Sequence, residues 1–196
     1  MNSAALVTRP VGPEDLPDLA TLFGGNRNTR RCWCTAFCTT RGQFTVGWLT
    51  GRNQHRFESM TRDSKTPMGV LATSSGEPVG WCACGPRSRY AVAGSGRSKL
   101  LRDRDSDEDP HVWFLACLYI RTDHRGEGVS HALVQAAIEL ARREGAPAIE
   151  GWPVVGPDRN AEAFVGRESL LVDLGFHVVA RPAPRRSIMR LELRGT

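Results

Sequence analysis

The sequence predicts an α/β protein: a mixed, mostly antiparallel twisted sheet with helices packed against it. Three observations carry that expectation. "HVWFLACLYIR" (111–121) is a nearly unbroken apolar run rich in aromatic and branched residues, the pattern of a central strand buried on both faces. "GVSHALVQAAIELARREG" (128–145) follows at once, with Val129, Leu133, Ala136, Ala137, Leu140 and Ala141 at helical spacing and Gly145 placed as a C-terminal cap. Short strand-like segments with turn chemistry lie on either side of this pair, so hairpins are expected at both ends of the sheet.

The elements follow in order. "LVTRPV" reads as a strand, and "GPEDLPDLATLF" as a helix whose first-turn acids complement the helix dipole. Gly24 to Gly47 has no clear period and reads as irregular, with a second helix expected within Trp48 to Arg62. "MGVLATSSGEPVGWCACGP" predicts two strands joined at Ser74 to Glu77. Pro86 to Pro110, which contains "GSGRSK", reads as a long polar connection, a length often reserved for function or motion. After the central strand and helix come a buried strand in "PAIEGWPV", a short helix over Glu168 to Leu174, and antiparallel strands in "FHVVAR" and "SIMRLEL". No repeat or second core is visible, so residues 1–196 are expected to form one domain.

Composition narrows the function classes. The formal charge is +5 from 26 basic and 21 acidic side chains, which admits a phosphorylated ligand. The basic residues are scattered and broken by runs such as "RDRDSDEDP", so no nucleic-acid partner is expected. No apolar run reaches the roughly 20 residues that cross a bilayer, and the N-terminus lacks a basic-then-apolar export pattern. A cytoplasmic protein with no membrane partner is therefore expected. The six cysteines include "CWCTAFC" and "CAC"; their C-x-C spacing suits two thiols on one strand face better than structural zinc, so no metal is expected.

The turn "HRGEGVS" carries the chemistry. The dinucleotide fingerprint needs a third glycine where His131 stands, and a P-loop needs a Gly-Lys-Ser/Thr ending that is missing. A strand, a glycine-rich turn and a helix start remain. Free N–H groups at a helix start bind phosphate oxygens, Gly126 and Gly128 leave room for a diphosphate, and Arg125 adds positive charge.

With Arg125-Gly126-Glu127-Gly128-Val129-Ser130 in this setting, the chain resembles the GCN5-related N-acetyltransferase (GNAT) family, whose acetyl-CoA motif reads Gln/Arg-x-x-Gly-x-Gly/Ala. Ser130 departs from the usual last residue but is still small. "TRPVGPEDLPDLATLF" is similar to the family's first strand and helix, and "DLGF" (173–176) to its fourth helix entering the sixth strand. "CWC", "EPVGWCACGPRSRY", "HRGEGVSHALV" and "EGWPV" together resemble an actinobacterial branch of the family.

The resemblance implies a GNAT fold and transfer of an acetyl or other short acyl group from CoA to a small-molecule or peptide amine. It implies that amides from Gly126 to Ser130 hold the pyrophosphate, and that the main chain of Leu118, Tyr119 and Ile120 pairs with pantetheine. Arg121 and Arg125 are then candidates beside the phosphates. Many relatives place a tyrosine acid where Leu171 stands here, which leaves Ser169, Cys117 or water as local substitutes.

For the base, Glu150 on the strand before Gly151-Trp152 is the first candidate, with pairing to an arginine as its other reading, and His111 is the second. His124 and His131 flank the phosphate turn, and His177 is expected to be structural. Trp33, Phe37 and Trp81 are candidates for an acceptor pocket, with core packing as the alternative. A catalytically weak CoA-binding module is the other functional reading, and a homodimer is allowed.

Overall fold

The computed structural model describes residues 5–90, 107–154, 164 and 166–193. Seven strands form one sheet in the order β1-β2-β3-β4-β5-β7-β6. They are β1 (Leu6–Pro10), β2 (Gly69–Ser74), β3 (Glu77–Pro86), β4 (Trp113–Ile120), β5 (Ala148–Gly151), β6 (His177–Ala183) and β7 (Arg186–Glu192). Neighbours pair antiparallel except β4 and β5, which run parallel. A parallel pair needs a crossover, and α5 (Val129–Arg143) supplies it. α6 (Glu168–Asp173) precedes the β6–β7 hairpin.

Four helices lie between β1 and β2: α1 (Leu16–Gly24), α2 (Arg27–Cys32), α3 (Arg41–Thr50) and α4 (Arg52–Asp63). α2 and α3 occupy the stretch that the sequence presents as irregular. Local capping makes them: the Asn26 side chain accepts from the Asn28 N–H, and Thr40 and Gln43 form a reciprocal capping box. The buried Asn53 amide of α4 donates to the carbonyl of Arg31 at 2.9 Å, fixing α2 against α4.

The sheet has a core on each face. Val79, Cys82, Cys84, Leu115, Leu118 and Ile149 pack beneath Leu133, Ala137 and Ala141 of α5. Leu71, Trp81, Ala83, Phe114 and Tyr119 pack on the other face against Leu19 and Phe23 of α1 and Phe57 of α4. Cys82 and Cys84 share the α5 face as small buried side chains. Of the polar connection Pro86 to Pro110, Arg87–Tyr90 forms a short 3-10 helix; "GSGRSK" lies outside the described residues.

Candidate functional site

The site begins where β4 and β5 part. They pair only from Trp113↔Ile149 to Leu115↔Gly151. On its other side β4 pairs with β3, and the register skips Ala116: Cys84 faces Leu115 whereas Ala83 faces Cys117. That β-bulge bends the strand and puts Ala116 and Cys117 on the same face. Beyond it, Arg121 N–H donates to the Val79 carbonyl at 2.9 Å. Strand alternation then turns the main-chain groups of Leu118 and Ile120 away from β3, into the gap left by β5.

This open edge runs into the glycine turn. Gly126 and Gly128 take φ of +84° and +79°, and a Cβ at either would meet nothing within 4 Å. The turn therefore uses glycine for a left-handed backbone on an open surface. Gly128 caps α5, whose Ala132 N–H closes back on the Gly128 carbonyl at 3.1 Å. The N–H groups of Val129, Ser130 and His131 precede that first bond and form the free amide end of the helix.

A cleft of about 560 Å³ follows this path. Leu118, Tyr119, Ile120, Arg125, Gly126, Val129 and Ser130, all singled out in the sequence, line it together with His124. Glu127 and Gly128 belong to the turn but stand outside the lining; the Glu127 carboxylate lies 2.8 Å from His124 Nδ1. Arg121 also falls outside, its guanidinium hydrogen-bonded to Glu77 and Asp123. The opposite wall, Phe164, Gly166, Arg167 and Leu170, was not anticipated. It comes from chain more than 30 residues beyond the turn and has no motif of its own, so only the topology reveals it.

A second cavity, of about 350 Å³, lies beside the cleft. Asn28, Thr29, Cys32, Cys34, Ala36 and Phe37 form one side of it, and Phe44 and Trp48 of α3 another. Phe164 borders both cavities and stacks near Tyr119, with ring centres 6.1 Å apart. Cys117 at the bulge closes the floor and also borders a small cavity shared with Leu118 and Leu170. The bulge therefore stands between the donor cleft and the apolar cavity.

Two successive non-glycine residues after α2, Trp33 and Cys34, adopt left-handed φ of +47° and +49°. Such a conformation costs roughly 1–2 kcal/mol per residue. It swings Trp33 into the core and brings the Cys34 thiol to 3.3 Å from Cys117 Sγ. The Cys34 thiol is held well above its usual range by that hydrogen bond and by burial. Burial pushes the Cys32 thiol up to about 12, so these two thiols stay uncharged at neutral pH.

Several expected site residues sit elsewhere. Trp33 and Trp81 are core residues, with Phe23 edge-on to both at ring separations of 5.2 and 6.2 Å. Of the three aromatic candidates, Phe37 lines the second cavity. Glu150 is buried outside both cavities, with Arg87 Nη1 at 2.9 Å and Arg190 Nη1 at 3.3 Å. Two guanidinium groups on one carboxylate make it the centre of an ion cluster. His111 is exposed just before β4, at the end opposite the glycine turn, and Ser169 is exposed on α6 outside both linings. Leu171, at the position of the relatives' acid, is buried and packs over Gly151.

A family model described as Acetyltransferase (GNAT) family matches residues 33–167. The chain belongs to that family. It is by that membership an N-acetyltransferase that draws its acyl group from CoA. No curated protein matches it significantly. Among solved structures it is similar to YncA of Salmonella typhimurium, solved with acetyl-CoA (17% identity, 98% of this chain and 96% of that one, TM-score 0.54). It is also similar to a GNAT-family acetyltransferase of Streptococcus pneumoniae (19%, 97% and 100%, TM-score 0.57). A third is the PaiA N-acetyltransferase of Thermoplasma acidophilum with coenzyme A (13%, 96% and 99%, TM-score 0.54). At these identities the likeness concerns the fold. Among the described residues no helix is long and apolar enough to cross a membrane, and no three His, Cys, Asp or Glu side chains gather as a metal site.

Proposed function

We propose that the cleft along β4 binds acetyl-CoA, or another short acyl-CoA, and that an amine seated beyond the bulge takes the acyl group directly from the thioester. The open edge of Leu118 and Ile120, continuous with the free amides of α5, carries this reading. Strand-like pairing suits the amides of pantetheine, and the helix start suits the pyrophosphate. Arg125 and Arg167 line the same cleft and add positive charge for the phosphates.

The chemistry then needs little acid help, because an alkyl thiol has a pKa near 8.5 and leaves readily. Leu171 in place of a proton donor is compatible with that. The harder demand is a neutral amine. The described residues lining the two cavities include no carboxylate and one imidazole, His124, which sits at the turn, so deprotonation falls to water. For an alkylamine acceptor, kcat/KM is expected to rise about tenfold per pH unit from 7 to 9. An acidic limb that vanishes in a His124→Gln variant would assign the base to the protein.

Isothermal titration with acetyl-CoA tests the cleft. Ser130→Glu puts a negative charge in the first turn of α5, where it favours the helix but repels phosphate. The variant is expected to stay folded and lose about 100-fold in affinity, roughly 2.7 kcal/mol. Unchanged affinity would mean that the phosphates lie elsewhere. The displacement of Glu150, His111 and Ser169 from the cleft favours one other reading, a CoA-binding module with weak turnover. Acetyl-CoA binding without thiol release across a broad amine panel is its signature.

A further inference from the structure

The second cavity restricts the acceptor. Among its described lining residues there is no carboxylate, guanidinium, ammonium or imidazole. Phe37, Phe44, Trp48 and Phe164 supply its aromatic surface, with ring centres of Phe44 and Trp48 5.7 Å apart. The Thr29 hydroxyl is already engaged, donating to the carbonyl of Phe23 at 2.9 Å. At about 350 Å³ the space lies at the lower end of small-molecule sites, which span roughly 300–1,000 Å³.

Charge selects among amines. A polyamine or aminoglycoside brings further ammonium groups, and an amino acid brings a carboxylate. Each would lose hydration against the described wall residues, none of which offers a counter-charge, at a cost of several kcal/mol. A peptide would bring several backbone amides, more than the single carboxamide of Asn28 among the described lining residues can satisfy. An aromatic ring on a short chain meets no such penalty and gains edge or face contacts with its neighbours. The same apolar surroundings disfavour the ammonium form of the reacting nitrogen, which must be neutral to attack.

We infer that the acceptor is a compact arylalkylamine, bearing one primary amino group and no other charge, whose ring lies among Phe37, Phe44 and Trp48 with its nitrogen toward Cys117. The inference rests on the acyl-transfer reading of the cleft. The amine nitrogen forms a bond to the acyl carbon, the carbon–sulfur bond breaks, and the sulfur leaves with that electron pair. The proton lost by the nitrogen goes to water or to the departing thiolate, giving an amide and free CoA thiol.

The test uses 2-phenylethylamine and spermidine as probes, with binding to the full chain measured by calorimetry and by saturation-transfer NMR. The expected result is binding of 2-phenylethylamine, with spermidine at least about tenfold weaker. Phe44, half-buried on α3, gives the variant Phe44→Ala, expected to weaken 2-phenylethylamine about tenfold while acetyl-CoA affinity is kept. Ala36→Leu fills the cavity without removing a core side chain and should do the same. Thiol release should follow the same order of amines.

Tighter binding of spermidine, no binding of 2-phenylethylamine, or indifference to both substitutions would overturn the inference. A folded protein that binds 2-phenylethylamine in this way but does not bind acetyl-CoA would overturn the reading of the cleft instead.

Discussion

The Glu150 carboxylate sits between Arg87 and Arg190, and the guanidinium of Arg87 also bonds Asp109. Arg190 in turn reaches Glu108 at 2.8 Å, so the cluster joins β5 and β7 to the segment that enters β4. Removing one partner from a buried cluster strands the others, which costs about 3–5 kcal/mol for a full truncation. Glu150→Gln keeps the shape and loses the charge, so a loss of about 2–3 kcal/mol in urea unfolding is expected. Turnover per folded molecule and its pH profile should be unchanged. A stable variant with collapsed kcat and a lost acidic limb would restore Glu150 as the base. The sequence could show a carboxylate on a central strand, but its partners stand 63 residues before and 40 after it. Such pairing is a property of the folded topology, which is why both readings of Glu150 stayed open in the sequence.

At the scale of elements, the strand-turn-helix unit of β4 and α5 was legible because its two periods, a continuous apolar run and a 3.6-residue stripe, meet at a glycine turn. α2 and α3 were not, since α2 is six residues long and polar, the apolar residues of α3 form no core-facing stripe, and caps and Asn53 hold both. The seating of α5 was also invisible. It rests on Gly80 of β3, where a Cβ would lie 2.8 Å from Val129 Cγ1 and 2.9 Å from Leu133 Cδ1. Gly80→Val must push the start of α5 off the sheet, and overpacking of this kind costs about 1–3 kcal/mol. Because that start carries the free amides of the cleft, acetyl-CoA affinity is expected to fall several-fold along with stability. Unfolding curves and titration calorimetry on one preparation check both effects. An unchanged midpoint with unchanged affinity would show that α5 shifts without cost and that its placement on Gly80 does not position the cleft.

Across the whole molecule, ionisation should limit stability from both sides of neutral pH. Hydrogen bonds from Arg190 hold the Glu108 carboxyl below its usual value, and those from Arg181 do the same for Glu168. A depressed carboxylate stabilises the fold above the ordinary pKa of 4.5, and that contribution is lost as pH falls through the folded value. The thiols act in the opposite direction. Burial raises Cys32 and Cys38 to about 12 from an ordinary 9.0. Cys34 is raised by its bond to Cys117 and by burial, and Cys82 by its bond to Cys84 and by burial. Below pH 9 both folded and unfolded chains keep these protons and the stabilisation is complete. Above it the unfolded chain releases them while the folded chain cannot, so each thiol removes up to about 1.4 kcal/mol per pH unit. By pH 10 Cys32 and Cys38 together remove up to about 3 kcal/mol, and Cys34 and Cys82 act in the same direction, against a total of roughly 5–15 kcal/mol for a protein of ordinary stability. Urea unfolding with a reductant present should therefore give a plateau from about pH 5 to 8 and a steep decline by pH 10. The buried Cys34 and Cys82 thiols should resist alkylation at pH 8 until urea is added. A flat profile from pH 8 to 10, or rapid labelling of these two thiols in the folded protein, would place them in water, and at Cys34 would remove part of the uncharged wall on which the choice of acceptor depends.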